Sequence, residues 1–514
     1  MDTQNLAATE RRSTTTPAGR SIPSRQELLW VCLVVCGISA ILFWRFLPLP
    51  HQDLNFFTEP AYQLARFGRL AAPGSQSYDL TFQKGIYCYP PGYFLLLAAW
   101  LRLFGLSANS LLAYTHLVHA IALILLWLLL RKRYQCGRVV SVLVLLAMFP
   151  RMAHGRPDLT AVALSLAAWL ALPQEFSWAR LVLSGCLAGA TLLVSPAFGV
   201  AIISTLAVLL LLRPEVFEIR LRNMLFWLAT AAGVFQGVTA AVLAQQHTWQ
   251  LAFVQFGINS KIRGAALNAW PSFRIAFTWE FCVVPFVLIA LVPAMLVTAG
   301  AWRDSPKELR KVSIAFLAST LVWLTLNKSQ LLLDHHFLYP AKSVFLGMFY
   351  SWPKFPAWLR IGPMVLLCAI SFYYYKADFL YLGSPLRMEE QQYSASLHLT
   401  GMAAVDSLYF ANFYRPGETL NYEVSAFEDN WRRYKAAIPT FAAKNMLSGL
   451  QDKPEEATTI LISGLTAARL KKEPDPDSVC HAPPDFEKKL RAFGRTWNLP
   501  ADPYALMVCT GKAP

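Results

Sequence analysis

Charge is scarce in this chain. Only 15% of its 514 residues are Asp, Glu, Lys or Arg, against 55% hydrophobic, and the mean hydropathy is +0.38. Soluble domains carry about a quarter charged residues, so the shortage excludes an ordinary water-facing surface. Acids are the scarcer sign, 31 against 46 basic residues, for a formal net charge of +15. That excess does not point to nucleic acid, because the cations sit in short clusters between apolar runs and form no basic stripe on a soluble fold. Metal-type cysteine spacing is missing among the 9 Cys. No repeat, low-complexity tract or cleavage-like site after the first apolar run is present, so the N-terminus reads as a retained signal anchor.

Long apolar runs and aromatics are abundant, with 16 Trp and 33 Phe, as expected of a multi-span protein with aromatic residues at the interfaces. Runs of roughly 17 to 25 apolar residues cross a bilayer. Candidates lie near 28–48, 108–130, 138–150, 158–173, 181–196, 197–212, 223–244, 274–300, 312–331, 337–351 and 360–376, about eleven in all. The run "YPPGYFLLLAAWLRLFG" (89–105) is left out. It is short, Arg102 interrupts it, and counting it would put the basic "RKRYQCGR" (131–138) outside. It is expected to lie on the outer surface as an interfacial helix started by Pro90 and Pro91, next to an amphipathic helix within "HQDLNFFTEPAYQLARFGRL" (51–70).

This threading leaves Arg131, Lys132, Arg133, Arg213, Arg220, Arg222, Arg303, Lys307, Arg310 and Lys311 inside, with a polar cytoplasmic N-terminus (1–27). Residues 28–377 form a polytopic α-helical domain whose first external loop is 49–107. Residues 378–514 are expected to form a small mixed α/β domain on the external side, with strand-like "TTILISGL" and "YALMVCTG". Cys32, Cys36, Cys186, Cys282 and Cys368 read as small core residues. Cys480 and Cys509, both in the tail, can form a disulfide if the tail faces an oxidising compartment.

The remaining ionisable residues gather on the outer face. The first external loop offers Asp53, Glu59, Arg66, Arg69, Asp79 and Lys84. The turn "FPRMAHGRPDL" offers Arg151, His154, Arg156 and Asp158, and "FGINSKIRGAAL" offers Lys261 and Arg263. The stretch "NKSQLLLDHHFLYPAKS" offers Lys328, Asp334, His335, His336 and Lys342. Singly, each has a structural reading. Asp158 follows Pro157 and suits a helix N-terminus, Arg66 and Arg69 suit snorkelling, and His335 and His336 suit an interface. The His pair with Asp334 also invites a metal, but adjacent side chains diverge and one first shell rarely takes both. Together they form outward cations that run against the positive-inside bias, as an anionic lipid phosphate would favour. A carboxylate among them can act as general base on an acceptor hydroxyl.

In segment order the sequence resembles the GT-C glycosyltransferases, particularly bacterial relatives of the protein O-mannosyltransferases and of the lipid A aminoarabinose transferase (glycosyltransferase family 39/83-like). The resemblance spans roughly residues 28 to 350: an acid after the first span, "YPPGYFLLLAAWLRLFG", "GRPDLTAVALSLAA" opening a span, and a late "HHFLYPA". It implies that Asp53 is the base, that Lys84, Arg156, His335, His336 and Tyr339 bind the donor phosphate, and that Asp158 supports the site. Glu59, Asp79, Arg151, His154, Lys261, Arg263 and Asp334 are further candidates from the outer face. It also implies a polyprenyl-phosphate sugar donor, inversion at the sugar, and no nucleotide or essential metal. Many members carry a second acid beside the first, where this chain has Leu54.

The expected enzyme transfers a sugar at the outer face of a membrane, here a bacterial inner membrane, to a glycan, lipid or protein acceptor. The alternatives are a ligase using a pyrophosphate-linked glycan, and a transporter. Transport predicts inverted repeats and midplane charges, of which Glu280 is the one instance.

Overall fold

The computed structural model describes residues 24–44, 54–72, 84–106, 108–150, 156–257, 287–326 and 339–374, together with four strands between 420 and 511. The first part is a helical bundle. Its helices are α1 (Arg25–Trp44), α2 (Leu54–Phe67), α3 (Gly92–Phe104), α4 (Ala108–Leu128), α5 (Arg138–Met148), α6 (Asp158–Ala171) and α7 (Trp178–Val194). Then come α8 (Pro196–Leu211), α9 (Phe217–Gln246), α10 (249–257), α11 (Val292–Thr298), α12 (Lys307–Leu326), α13 (Tyr339–Tyr350) and α14 (Ala357–Tyr374). Two π-helical turns, Leu129–Arg133 and Val287–Leu291, extend α4 and lead into α11.

Among the described residues three helices are long and apolar enough to cross a membrane: Arg25–Trp44, Asn109–Arg133 and Phe217–Gln246. The stretches 274–286 and 327–338 lie outside the described residues, whereas the expected spans 138–150, 158–173, 181–196, 197–212 and 360–376 coincide with shorter apolar helices. They are short because the chain is punctuated closely. A single extended residue, Ser195, separates α7 from α8, and Pro196 opens α8 at the position where a missing N–H costs nothing. The run 89–105 is a 13-residue helix packed against α2, and Arg102, which interrupts it, donates from Nε to Ala65 O at 3.1 Å. Arg102 therefore satisfies an orphan carbonyl in the last turn of α2.

Small residues set the closest helix approach. On α7, Gly185 and Gly189 lie four apart and face α9. A Cβ at Gly189 would sit 2.4 Å from the Ala231 carbonyl oxygen, and one at Gly185 3.0 Å from Thr230. Removing side chains lets two backbones meet, the usual solution where lipid supplies no hydrophobic drive between helices. A polar ladder crosses the same contact. Trp227 Nε1 donates to Ser184 Oγ at 3.1 Å, and Ser184 Oγ donates to Ala168 O at 2.8 Å, linking α9, α7 and α6.

The basic loops converge on one end of the bundle. There Arg133 NH1 donates to Trp169 O and Leu172 O at 2.7 and 2.6 Å, and Arg220 NH1 to Leu211 O at 2.7 Å. Arg180 NH2 reaches Leu170 O at 3.1 Å, and Arg213 bonds Pro173 O. These guanidinium groups cap the C-terminal carbonyls of α6 and α8. Glu27 of α1 accepts from Arg131 at 2.9 Å and Arg138 at 3.0 Å, which ties an otherwise lightly packed helix to the loop after α4.

The cysteine expectation is corrected in part. Cys36 is exposed, and Cys32, Cys186 and Cys368 are half-buried, whereas Cys136 in the basic loop is buried. The reason is that α1 buries only Val35 and Ser39, so most of its apolar surface faces away from the bundle. Cys282 lies outside the described residues.

In the tail, strands β1 (Leu420–Tyr422), β2 (Thr458–Ser463), β3 (Ser478–His481) and β4 (Tyr504–Gly511) form one sheet in the order β1-β2-β4-β3. The first pair is parallel and the others antiparallel. The two expected strand-like runs are β2 and β4. The register places Cys480 directly opposite Cys509.

The α7–α9 contact yields a paired test. Gly189→Ala is expected to cost about 1–3 kcal/mol through backbone overlap. Gly233→Ala, with open space around it, should gain about 0.5–1 kcal/mol from helix propensity. Thermal unfolding in detergent should show the two midpoints moving in opposite directions.

Candidate active site

At the end of the bundle opposite the basic loops, four helices are chained by aromatic and polar contacts. Phe57 of α2 meets Tyr93 of α3 edge-on at 5.8 Å, and Tyr93 meets Tyr114 of α4 at 6.3 Å. Tyr114 OH shares a 3.1 Å hydrogen bond with Thr160 Oγ1 of α6. One turn away, at the start of α6, Arg156 Nε donates to Asp158 Oδ2 at 2.8 Å.

The placement of α3 follows from Gly92. A Cβ there would lie 2.7–2.8 Å from the Cβ, C and O atoms of Leu193, so only glycine lets the helix start seat on the end of α7. Trp100 Nε1 then donates to Ser110 O at 2.9 Å, fixing the other end of α3 to the start of α4. Tyr93 is thereby pressed into the interior. Burial, then Tyr114 and the Asp158 carboxylate, hold its phenol well above the usual tyrosine range, so it stays a neutral hydrogen-bonding group.

Asp158, expected as a helix-start acid or part of a charged pair, is 8% exposed and has no cap hydrogen bond from Pro157. It forms an ion pair with Arg156, with a favourable helix dipole behind it. Glu59 is 2% exposed on α2, a deep position for an acid in so apolar a chain. Lys84 stands exposed in the turn before Gly85, and Arg66 and Arg69 are exposed as expected of surface cations. Lys342, in the first turn of α13, is 2% exposed.

Asp53, Asp79, Arg151, His154, Lys261, Arg263, Asp334, His335 and His336 lie outside the described residues, as do Lys328 and Glu280. Tyr339 is described only as the first residue of α13. Among the described residues no three His, Cys, Asp or Glu side chains come close enough to hold a metal ion.

Several residues at this end were not singled out from the sequence. Tyr93, Tyr114 and Thr160 are neutral and sit in apolar runs, where nothing marks a polar group as buried. His116 and His119 lie on α4, and His119 is 1% exposed with neither ring nitrogen hydrogen-bonded among the described residues. Its ring packs 5.1 Å from Phe149, and that of His116 6.1 Å from Phe43. Their i, i+3 spacing was the available signal.

With this geometry in place, the solved structures give the fold a counterpart. The crystal structure of ArnT from Cupriavidus metallidurans bound to undecaprenyl phosphate matches with a TM-score of 0.52 at 12% identity, over 93% of this chain and 98% of that one. The chain shares that fold. Two looser matches are ArnT in the apo state, at a TM-score of 0.40 and 12% identity over 93% of this chain and 98% of that one, and the arabinosyltransferase EmbB from Mycobacterium smegmatis. The EmbB match has a TM-score of 0.37 at 13% identity and covers 79% of this chain and 42% of that one. No family model and no curated protein matches the sequence.

The α6 contacts separate a charged bond from a neutral one. Asp158→Ala is expected to cost about 2 kcal/mol, since it removes a largely buried charge-assisted bond. Thr160→Val, which breaks only the neutral contact to Tyr114, should cost about 1 kcal/mol. Unfolding midpoints of the two variants in detergent check the order.

Proposed function

We propose that this GT-C protein is an integral-membrane glycosyltransferase that moves a sugar from a polyprenyl-phosphate donor to an acceptor hydroxyl at the outer face of the membrane. The observation that carries the reading is the fold match over nearly the full length of both chains to ArnT, a protein captured with undecaprenyl phosphate. The outer-end chemistry is compatible with it, because a largely buried Arg–Asp pair, an exposed lysine and buried phenols suit a phosphate at the mouth of an apolar bundle.

In this reaction Asp53 takes the proton from the acceptor hydroxyl as its oxygen attacks the anomeric carbon. The bond from that carbon to the phosphate oxygen breaks, the sugar inverts, and polyprenyl phosphate leaves with the bonding pair. Lys84, Arg156, His335, His336 and Tyr339 stabilise the phosphate's charge. Asp158 holds the Arg156 guanidinium, and Glu59, Asp79, Arg151, His154, Lys261, Arg263 and Asp334 complete the polar surround. The acceptor is a glycan, a lipid or a protein. The protein resides in a bacterial inner membrane with its N-terminus cytoplasmic and residues 378–514 outside.

Asp53→Asn preserves size and removes the base. It should lower transfer by about 10²–10⁴-fold, read by mass spectrometry of envelope glycans in cells carrying either form at equal expression. Near-normal glycan in the variant removes Asp53 from the mechanism. A cysteine introduced in residues 400–470 should react with an impermeant thiol reagent in intact cells, and labelling only after lysis reverses the topology.

A further inference from the structure

Two glutamines grip the first loop on either side of Lys84. Gln246, the last residue of α9, donates from Nε2 to Gly68 O at 2.7 Å, and its Oε1 accepts the Leu70 N–H at 3.4 Å. Gln255 on α10 repeats the arrangement one segment later. It donates from Nε2 to Gly85 O at 2.7 Å and accepts the Tyr87 N–H at 2.6 Å. The gripped segments also bond to each other, Ile86 N–H to Leu70 O at 3.0 Å. Thr248 Oγ1 adds a 2.6 Å bond to Tyr87 OH.

A carboxamide is the side chain that can donate and accept along one stretch of backbone, as a neighbouring strand would. At 1% exposure, Gln255 makes these bonds where water cannot replace them. The fit around Gly85 is equally tight. A Cβ there would lie 2.5 Å from the Tyr87 ring and 3.2 Å from Leu251. The turn that presents both glutamines is itself constrained, with His247 between α9 and α10 held at φ 53°, a left-handed conformation few non-glycine residues adopt.

A loop that only needed to be packed would not require its backbone to be fixed by four side-chain bonds. What this one carries is the turn at Lys84, whose ammonium has no acid or acceptor beside it among the described residues. A cation with no partner among the described residues, followed directly by backbone held at Gly85 and Tyr87, is preorganised for an anion that arrives from outside the chain.

We infer that Gln246 and Gln255 are positioning residues that hold the Lys84 turn so that its ammonium meets the phosphate of the donor lipid. This rests on the phosphate role of Lys84 proposed above. The probe is undecaprenyl phosphate, with its affinity for the purified full chain measured for the wild type, Lys84→Gln, Gln255→Leu and the double variant. Each single change is expected to weaken binding roughly tenfold, and the double variant should bind no more weakly than Lys84→Gln alone, because Gln255 acts through Lys84. A Gln255→Leu protein of normal affinity, or losses that simply add, overturns the clamp while leaving the role of Lys84 standing. Normal affinity in Lys84→Gln overturns both. Should Gln255→Leu not fold, Gln246→Leu takes its place in the same cycle, since that clamp is half-exposed and its loss is easier to accommodate.

Discussion

Every helix end in a membrane bundle leaves backbone carbonyls without partners, and apolar surroundings make each one expensive. This structure meets that constraint with arginine. At the basic end, Arg133 closes α6, Arg220 closes α8, and Arg180 and Arg213 reach the carbonyls of Leu170 and Pro173. At the other end, Arg102 closes α2. The cations that a topological rule places between spans thus also terminate helices of the bundle. Short joins keep α6, α7, α8 and α9 in register, so that Ser184 can bridge Ala168 and Trp227.

The opposite end uses the same economy with neutral groups. Gly92 brings α3 against α7, and Tyr93, Tyr114 and Thr160 link α3, α4 and α6 near the ion pair at the start of α6. The glutamines of α9 and α10 then hold the loop that bears Lys84. Glu59 and Lys342 are both deeply buried, at 2% exposure.

Much of the fold was legible in the sequence because long apolar runs and basic clusters are one-dimensional signals. The run 89–105, set apart from the spans because of Arg102 and the charge of 131–138, contains a separate helix packed on α2. The expected span 197–212 matches α8 to one residue, and the tail runs marked β2 and β4. Arg156 and Asp158, both implied for the site by the family resemblance, lie 2.8 Å apart. Cys36 ran the other way. Its apolar neighbours suggested a core position, but apolar sequence does not distinguish a face turned to the bundle from one turned to lipid.

By itself, then, the sequence determined the membrane class and the order of the described helices, because hydrophobicity and net charge act locally along the chain. Only the tertiary structure decided which neutral polar groups matter. Gln246 and Gln255 stand 178 and 170 residues from the backbone they grip, and Tyr114 stands 46 from Thr160. Hydrogen bonds of that kind leave no periodicity or composition to read, since they depend on distances that exist only after the helices have packed.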